Sequence, residues 1–213
     1  MAARDYGQYG GLSQALELVG ERWALLIVRD LLVGPRRYGE LAAGLARIPS
    51  NILAARLKEL QAAGVIRRAP RSRIIVYELT PYGRELEPVV LALGAWGYKA
   101  LSDPRDEQVI TPDSMTMDLR TAFRPEVAAD LPLTSYAARF GAAELLIRVD
   151  GPALDVTRGD GPADLAFSAS PDIRRLISGE LAPERAIATG VVEVLHGRGD
   201  LLDRFAHTFH LAA

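Results

Sequence analysis

IPSNILAARLKELQAAGVIRRAPRSR, residues 48–73, is the stretch whose reading decides the fold of the first half of the chain. Leu53, Leu57 and Leu60 recur at spacings of four and three, which lays one apolar stripe along a helix. Ser50 or Asn51 is placed to cap its start, because a short oxygen side chain accepts bonds from the free N–H groups of a first turn. Asn51, Ala54, Ala55, Arg56 and Lys58 fall away from the centre of the stripe. Gly64 suits the helix C-terminus, where a left-handed backbone costs glycine less than any residue with a Cβ. Val65 then begins a β-rich segment, and Arg67, Arg68, Arg71 and Arg73 cluster around the following turn. A helix with a small, polar front edge beside a cationic hairpin tip is what a DNA-reading winged helix requires.

Charge distribution supports this reading where net charge does not. The 213 residues carry a formal charge of −2, which alone argues against a nucleic-acid binder. Residues 1–100, however, hold 14 Lys and Arg against 9 Asp and Glu, a balance of +5, and residues 101–213 hold 11 against 18, a balance of −7. Such asymmetry implies two domains, of which the first faces a polyanion. An apolar fraction of 49% is ample for two cores. No apolar run approaches the roughly 18 residues of a spanning helix. The polar, glycine-rich N-terminus shows no secretory signal, so no membrane insertion and a cytoplasmic location are expected. The absence of cysteine excludes disulfides and thiol switches.

Outward from residues 48–73, the pattern predicts helices over 12–19, 23–32, 38–45 and 50–63, the last two forming a helix-turn-helix pair. Residues 74–79 (IIVYEL) are β-rich and pair back on 65–69 through the arginine turn. Thr80-Pro81 starts a helix running towards residue 100, with Thr as cap and Pro in the first turn. Pro88 predicts a kink or interruption within it. That apolar helix, with the one at 12–19, is the expected homodimer surface. Residues 102–109 read as a linker between a domain over 1–101 and another over 110–213. In the second domain, short strands are expected at 134–140, 144–149, 153–158, 164–168 and 191–196, with helices at 171–178, 183–189 and 200–209. That is an α+β domain with one face of its sheet covered.

The first hundred residues resemble the HxlR-type winged helix-turn-helix regulators. The resemblance rests on residues 20–31 (GERWALLIVRDL), on Gly34-Pro35-Arg36-Arg37-Tyr38, on Ile48, Asn51, Leu53 and residues 56–60 (RLKEL), on residues 77–86 (YELTPYGREL), and on Trp96-Gly97. It implies a homodimer that binds double-stranded DNA. These regulators often carry an N-terminal cysteine; Gly10 stands there. Residues 110–213 resemble, more loosely, the sterol carrier protein type-2-like fold, through residues 163–172 (ADLAFSASPD), Gly179-Glu180-Leu181 and residues 190–194 (GVVEV). That resemblance implies a hydrophobic cavity for a lipid-like or other apolar molecule.

The fold class is thus a mainly α winged helix-turn-helix domain followed by an α+β sterol-carrier-like domain. On the DNA side the expected contacts are Arg36, Arg37, Ser50, Asn51, Ile52, Ala55, Arg56, Lys58, Arg71 and Arg73. Asn pairs donor and acceptor with adenine, Arg pairs with guanine or phosphate, and most of the cations position rather than specify. On the ligand side Leu133, Tyr136, Phe140, Leu145, Ile147, Phe167, Leu176, Ile177 and Phe209 are the expected cavity lining, each with ordinary core as its competing role. No convergent catalytic set, cofactor motif or metal-ligand pattern is visible; His207 and His210 share a helix face without a third ligand. The expectation is a ligand-responsive, non-enzymatic transcriptional regulator. The alternatives are a lipid carrier that uses the winged helix as a dimerisation scaffold, and a regulator whose C-terminal domain recruits a protein partner.

Overall fold

The computed structural model describes residues 5–105 and 108–211. The chain divides into two compact units, the first ending at Val90 and the second beginning at Leu91. The first holds helices α1 (Gly11–Val19), α2 (Ala24–Val33), α3 (Tyr38–Gly44) and α4 (Ser50–Ala62), the hairpin strands β1 (Ile66–Arg71) and β2 (Ile74–Leu79), and the short helix α5 (Pro81–Arg84). Helix α2, apolar on nearly every side, is central: Ile27, Val28 and Leu31 are at most 1% exposed. The stripe of α4 meets the same core, with Leu53, Leu57 and Leu60 all buried. Each such leucine contributes roughly 1.5–3 kcal/mol relative to exposure.

The start of α4 differs from expectation. Its N-cap is Pro49, in extended backbone, so neither Ser50 nor Asn51 caps it through a side chain. Proline sets its own φ and presents no capping oxygen, and Ser50 is already the first helical residue. The Tyr38 hydroxyl instead donates to the Ser50 carbonyl at 2.9 Å, tying the start of α3 to the start of α4.

Strands β1 and β2 pair antiparallel from Ile66↔Leu79 to Arg71↔Ile74, around a Ser72-Arg73 turn in which Ser72 has φ +55°. Arg36 adds a bridge on the far side of β2, exchanging backbone hydrogen bonds with Tyr77 at 3.0 and 2.7 Å. The hairpin is closed by Thr80. Its N–H donates to the Val65 carbonyl, its hydroxyl donates to the Gly64 carbonyl at 2.6 Å, and the same oxygen accepts the Gly83 N–H at 3.0 Å. Gly83 lies so close to this junction that a Cβ on it would sit 2.0 Å from the Val65 oxygen. Helix α6 (Glu87–Tyr98) follows α5 after a break, as Pro88 predicted, and Pro88 itself falls in the first turn of α6, where its missing N–H does no harm.

In the second unit, α7 (Pro112–Ala122) and α8 (Pro125–Ala128) precede a mixed five-stranded sheet. Its strands are β3 (Thr134–Phe140), β4 (Ala143–Asp150), β5 (Ala153–Arg158), β6 (Leu165–Ala169) and β7 (Val192–Gly197), in the order β5-β4-β3-β6-β7. Only the β3–β6 pairing is parallel. Helices α9 (Ile173–Ile177) and α10 (Pro183–Ala188) lie between β6 and β7, and α11 (Leu201–Thr208) follows. Strand β4 alternates, with Ala143, Leu145, Ile147 and Val149 inward. Neither α7 nor α8 was anticipated. Helix α7 opens on Thr111-Pro112, with the Thr111 hydroxyl accepting the Ser114 N–H at 3.1 Å, and its buried Asp113 pairs with Arg158 of β5 at 2.6 Å.

The division between the units falls inside α6. Its last residue, Tyr98, packs against the second core and donates its hydroxyl to the Arg174 carbonyl at 3.0 Å. Of the expected linker at 102–109, Asp106 and Glu107 lie outside the described residues, and 102–105 form neither helix nor strand.

The junction at Val65 yields a direct test. A Gly83→Ala substitution drives a methyl into a backbone oxygen that is already engaged by Thr80, so neither group can yield without opening the hairpin. Thermal denaturation is expected to show a loss on the order of 2–4 kcal/mol, and wild-type stability in this variant would contradict the geometry.

Candidate nucleic-acid interface

The outward face of α4 is formed by residues opposite its leucine stripe. Ser50, Asn51, Ala54 and Lys58 are exposed, and the last three follow one another at spacings of three and four. Ile52 and Ala55 are half-buried at the flanks. Asn51 and Lys58 are therefore the polar groups this face offers, with the small Ala54 between them leaving the backbone open to close approach.

Arg56 has a different role from the one expected. Its side chain is 13% exposed and turned back across the unit, pairing with Glu21 at 3.3 Å and with Glu59 one turn further along α4. Glu21 is aimed by the corner between α1 and α2. There Gly20 approaches the Leu16 carbonyl closely, and Trp23 takes a left-handed backbone (φ +79°) with the Arg22 guanidinium 5.4 Å from the centre of its ring. Arg56 thus fixes α4 to this corner, since a largely buried guanidinium requires charge partners.

A similar arrangement engages two of the wing cations. Glu78 on β2 is buried at 5% exposure and receives the guanidinium groups of Arg67 and Arg71, both at 2.8 Å. Hydrogen bonds from Arg71 and then Arg67 hold its carboxyl below the ordinary glutamate range. Arg68 lies 6.0 Å from the centre of the Tyr77 ring, and Arg73 is exposed at the turn. Ahead of α3, Arg37 is exposed and its backbone N–H donates to Glu40, while Arg36 is held by the Tyr77 bridge and donates to its neighbour's carbonyl at Pro35. Arg37, Asn51, Lys58 and Arg73 are outward-facing groups from three successive elements, and Arg67, Arg68 and Arg71 of the wing are exposed beside them, the first and last with their charge shared by Glu78. Together they are suited to contact a phosphodiester backbone along an element lying in a groove. The sequence named the arginines but not the glutamates that engage them; Glu21, Glu59 and Glu78 were the missing half of the pattern.

The residues expected to line a cavity in the second unit are mostly its solid core. Tyr136, Phe140, Leu145, Ile147, Phe167, Leu176, Ile177 and Phe209 are each at most 2% exposed, whereas Leu133 is 51% exposed and faces outward. Phe205 is the hub, meeting Tyr136 and Phe167 edge-on at 5.3 Å and Phe209 at 4.7 Å. Edge-to-face contact between quadrupoles fills this space well. Burial pushes the Tyr136 phenol above its usual range. Two concavities border the core: one of about 170 Å³ touching Leu145 and Phe167, and one of about 270 Å³ touching Leu176.

Two expectations separate support from contact. Arg56→Gln strips a nearly buried ion pair and lowers thermal stability by on the order of 1.5–3 kcal/mol, whereas Lys58→Ala leaves the melting temperature unchanged. Glu78 has a folded-state pKa below its unfolded value, so the stability it adds is present at neutral pH and is lost as pH falls through the folded value. The melting-temperature gap between wild type and Glu78→Gln is therefore expected to close on acidification; a gap that persists or widens refutes the assignment.

The HxlR-like helix-turn-helix family model matches residues 18–104. The uncharacterised HTH-type transcriptional regulator Rv3095 of Mycobacterium tuberculosis is 43% identical over 96 residues, which are 44% of this chain and 60% of that protein. The uncharacterised HTH-type transcriptional regulator YvaP of Bacillus subtilis is 36% identical over 86 residues, 39% of this chain and 80% of that protein. Among solved structures, the putative HTH-type transcriptional regulator ytcD aligns with 35% identity and a TM-score of 0.41, covering 43% of this chain and 97% of its own. The chain thus spans less than two thirds of the mycobacterial relative, and the family model lies in its N-terminal half. With four fifths of YvaP covered at that identity, the chain belongs to the HxlR-like helix-turn-helix family.

Proposed function

We propose that the chain is a DNA-binding transcriptional regulator that acts as a homodimer, with a small apolar molecule bound by the second unit modulating operator affinity. The observation that carries the DNA reading is the outward face of α4, with Asn51 and Lys58 exposed between Arg37 and the wing residue Arg73. Cations so placed add affinity by neutralising phosphates, and Asn51 is the residue able to read a base edge. The poverty of long polar side chains on α4 favours modest direct readout and a larger share of affinity from the backbone.

Exposed apolar groups support the dimer. Leu12 and Leu16 of α1 are 75% and 43% exposed. Helix α6 buries none of its residues fully and exposes Val89, Leu93 and Trp96, the last at 74%. Apolar side chains on a helix that buries none of them within its own chain are those of an interface. A two-fold dimer places two copies of α4 on half-sites about one helical turn apart. The mixed sheet with helices packed on it supports reading the second unit as sterol-carrier-like. A ligand there acts only through unequal affinity for two arrangements of the dimer. No helix among the described residues is long and apolar enough to cross a membrane.

Gel-shift titration against the promoter, at several salt concentrations and with or without lipid extract, tests this. Lys58→Ala and Arg73→Ala are each expected to weaken binding and to lower the slope of log affinity against log salt by about one. Lipid extract is expected to change the midpoint. Unchanged slopes in both variants would remove the interface, and an unchanged midpoint would remove the sensing role.

A further inference from the structure

The concavity of about 270 Å³ in the second unit has a chemistry distinct from the aromatic core beside it. Its floor and walls are apolar, from Leu176, Leu181 and Ala206 among others, while Arg124, His207 and His210 also line it. No carboxylate side chain is among its lining residues, in a half of the chain that carries 18 acidic residues against 11 basic ones. Three separate elements deliver the nitrogen groups. Arg124 stands at the corner between α7 and α8, its N–H bound to the Thr208 carbonyl at 2.9 Å. His207 is on α11, its Nδ1 donating to the Asp203 carbonyl at 2.8 Å, so a carboxylate at Nε2 is held by the ring in its doubly protonated, cationic form. His210 follows α11, its backbone fixed to Ala122 at 2.8 Å and its ring laid against Gly179. At Gly179 (φ +77°) a Cβ would come within 2.9 Å of that ring, so the glycine is what lets the imidazole reach the cleft.

We propose that this cleft binds a small amphiphilic carboxylate, its apolar body against Leu176, Leu181 and Ala206 and its carboxylate toward Arg124, His207 and His210. This rests on the reading of the second unit as the sensing half, and names the ligand class. A guanidinium with flanking imidazoles at an apolar wall matches one anionic head on a short chain or a single ring. The volume of about 270 Å³ is just below the usual range for drug-sized ligands, which suits a short chain or a single ring. Glu126, exposed outside the cleft, pairs with Arg124 at 3.3 Å and competes with the ligand for it.

Isothermal titration of the full chain with octanoate, octanol and octylamine tests the assignment, because the three share a tail and differ in head charge. Octanoate is expected to bind at least roughly tenfold more tightly than either of the others, a difference of about 1.4 kcal/mol. The Arg124→Gln/His207→Gln double variant should lose that advantage. Glu126→Gln, which removes the carboxylate paired with Arg124, should gain affinity for octanoate. Circular dichroism melting confirms that each variant is folded, and the Glu126→Gln gain is readable even if the double variant unfolds. Equal binding of octanol and octanoate, or no gain in Glu126→Gln, overturns the proposal. Octanoate binding that leaves operator affinity unchanged supports the site and removes the sensing role. Operator affinity that responds to lipid extract while octanoate fails to bind removes the site alone.

Discussion

Arg56 is held between Glu21 and Glu59, and the position of α4 depends on that ion-pair set. A guanidinium at 13% exposure has lost most of its hydration, and only opposed charge at close range makes that tolerable. The corner between α1 and α2 supplies one partner and the next turn of α4 supplies the other, so the outward helix is anchored to a part of the unit 35 residues earlier in sequence. The leucine stripe fixes which side of α4 faces inward. It permits sliding along the axis, which a directional pair to Glu21 opposes.

The same rule sorts the cations of the wing. Glu78 is buried within the hairpin and pairs with Arg67 and Arg71, neutralising part of their charge while their side chains stay 63% and 62% exposed. A count of arginines near the turn therefore overstates the charge available to a polyanion. Arg73 sits at the turn and Lys58 and Asn51 on the outer face of α4, where no such pairing draws them inward. Internal carboxylates in this unit thus perform a selection: Glu21 and Glu59 turn Arg56 into a strut, while Glu78 shares the charge of two cations that stay at the surface.

That selection explains which parts of the molecule were legible in the sequence. The periodicities of 53, 57 and 60 and of β4 are set by burial, a property each residue carries locally, and the structure follows them almost to the residue. The roles of Arg56 and Lys58 are not local. Two positions apart, they differ because Glu21 lies 35 residues before Arg56, a pairing that only the folded corner creates. Helix α7 was missed although Thr111-Pro112 repeats the signal read at Thr80-Pro81. Its alternation of Met, Thr and Asp lacks the uniform apolar stripe that α4 shows, because Asp113 and Thr116 are themselves buried there. The aromatic residues of the second unit were correctly read as inward. Whether they surround a void or fill it is a question of volume, which spacing does not encode; in the structure Phe205 meets Tyr136 and Phe167 edge-on.

The ring contacts on Phe205 bear on what the proposed control by the second unit would have to use. A molecule entering the space around Phe205 would have to break ring contacts that already satisfy it, at the cost of several side chains repacking together. The concavity between α9, α10 and α11 imposes no such demand, since its walls already stand apart. It is also mechanically connected: Leu176 lies on α9, and the Arg174 carbonyl of that same short helix accepts the hydroxyl of Tyr98 at the end of α6. Helix α6 is the element in which the two compact units divide, and it carries the exposed Val89, Leu93 and Trp96. On the proposed sensing role, a ligand that shifts α9 acts first on the hydrogen bond that holds Tyr98 at the end of α6.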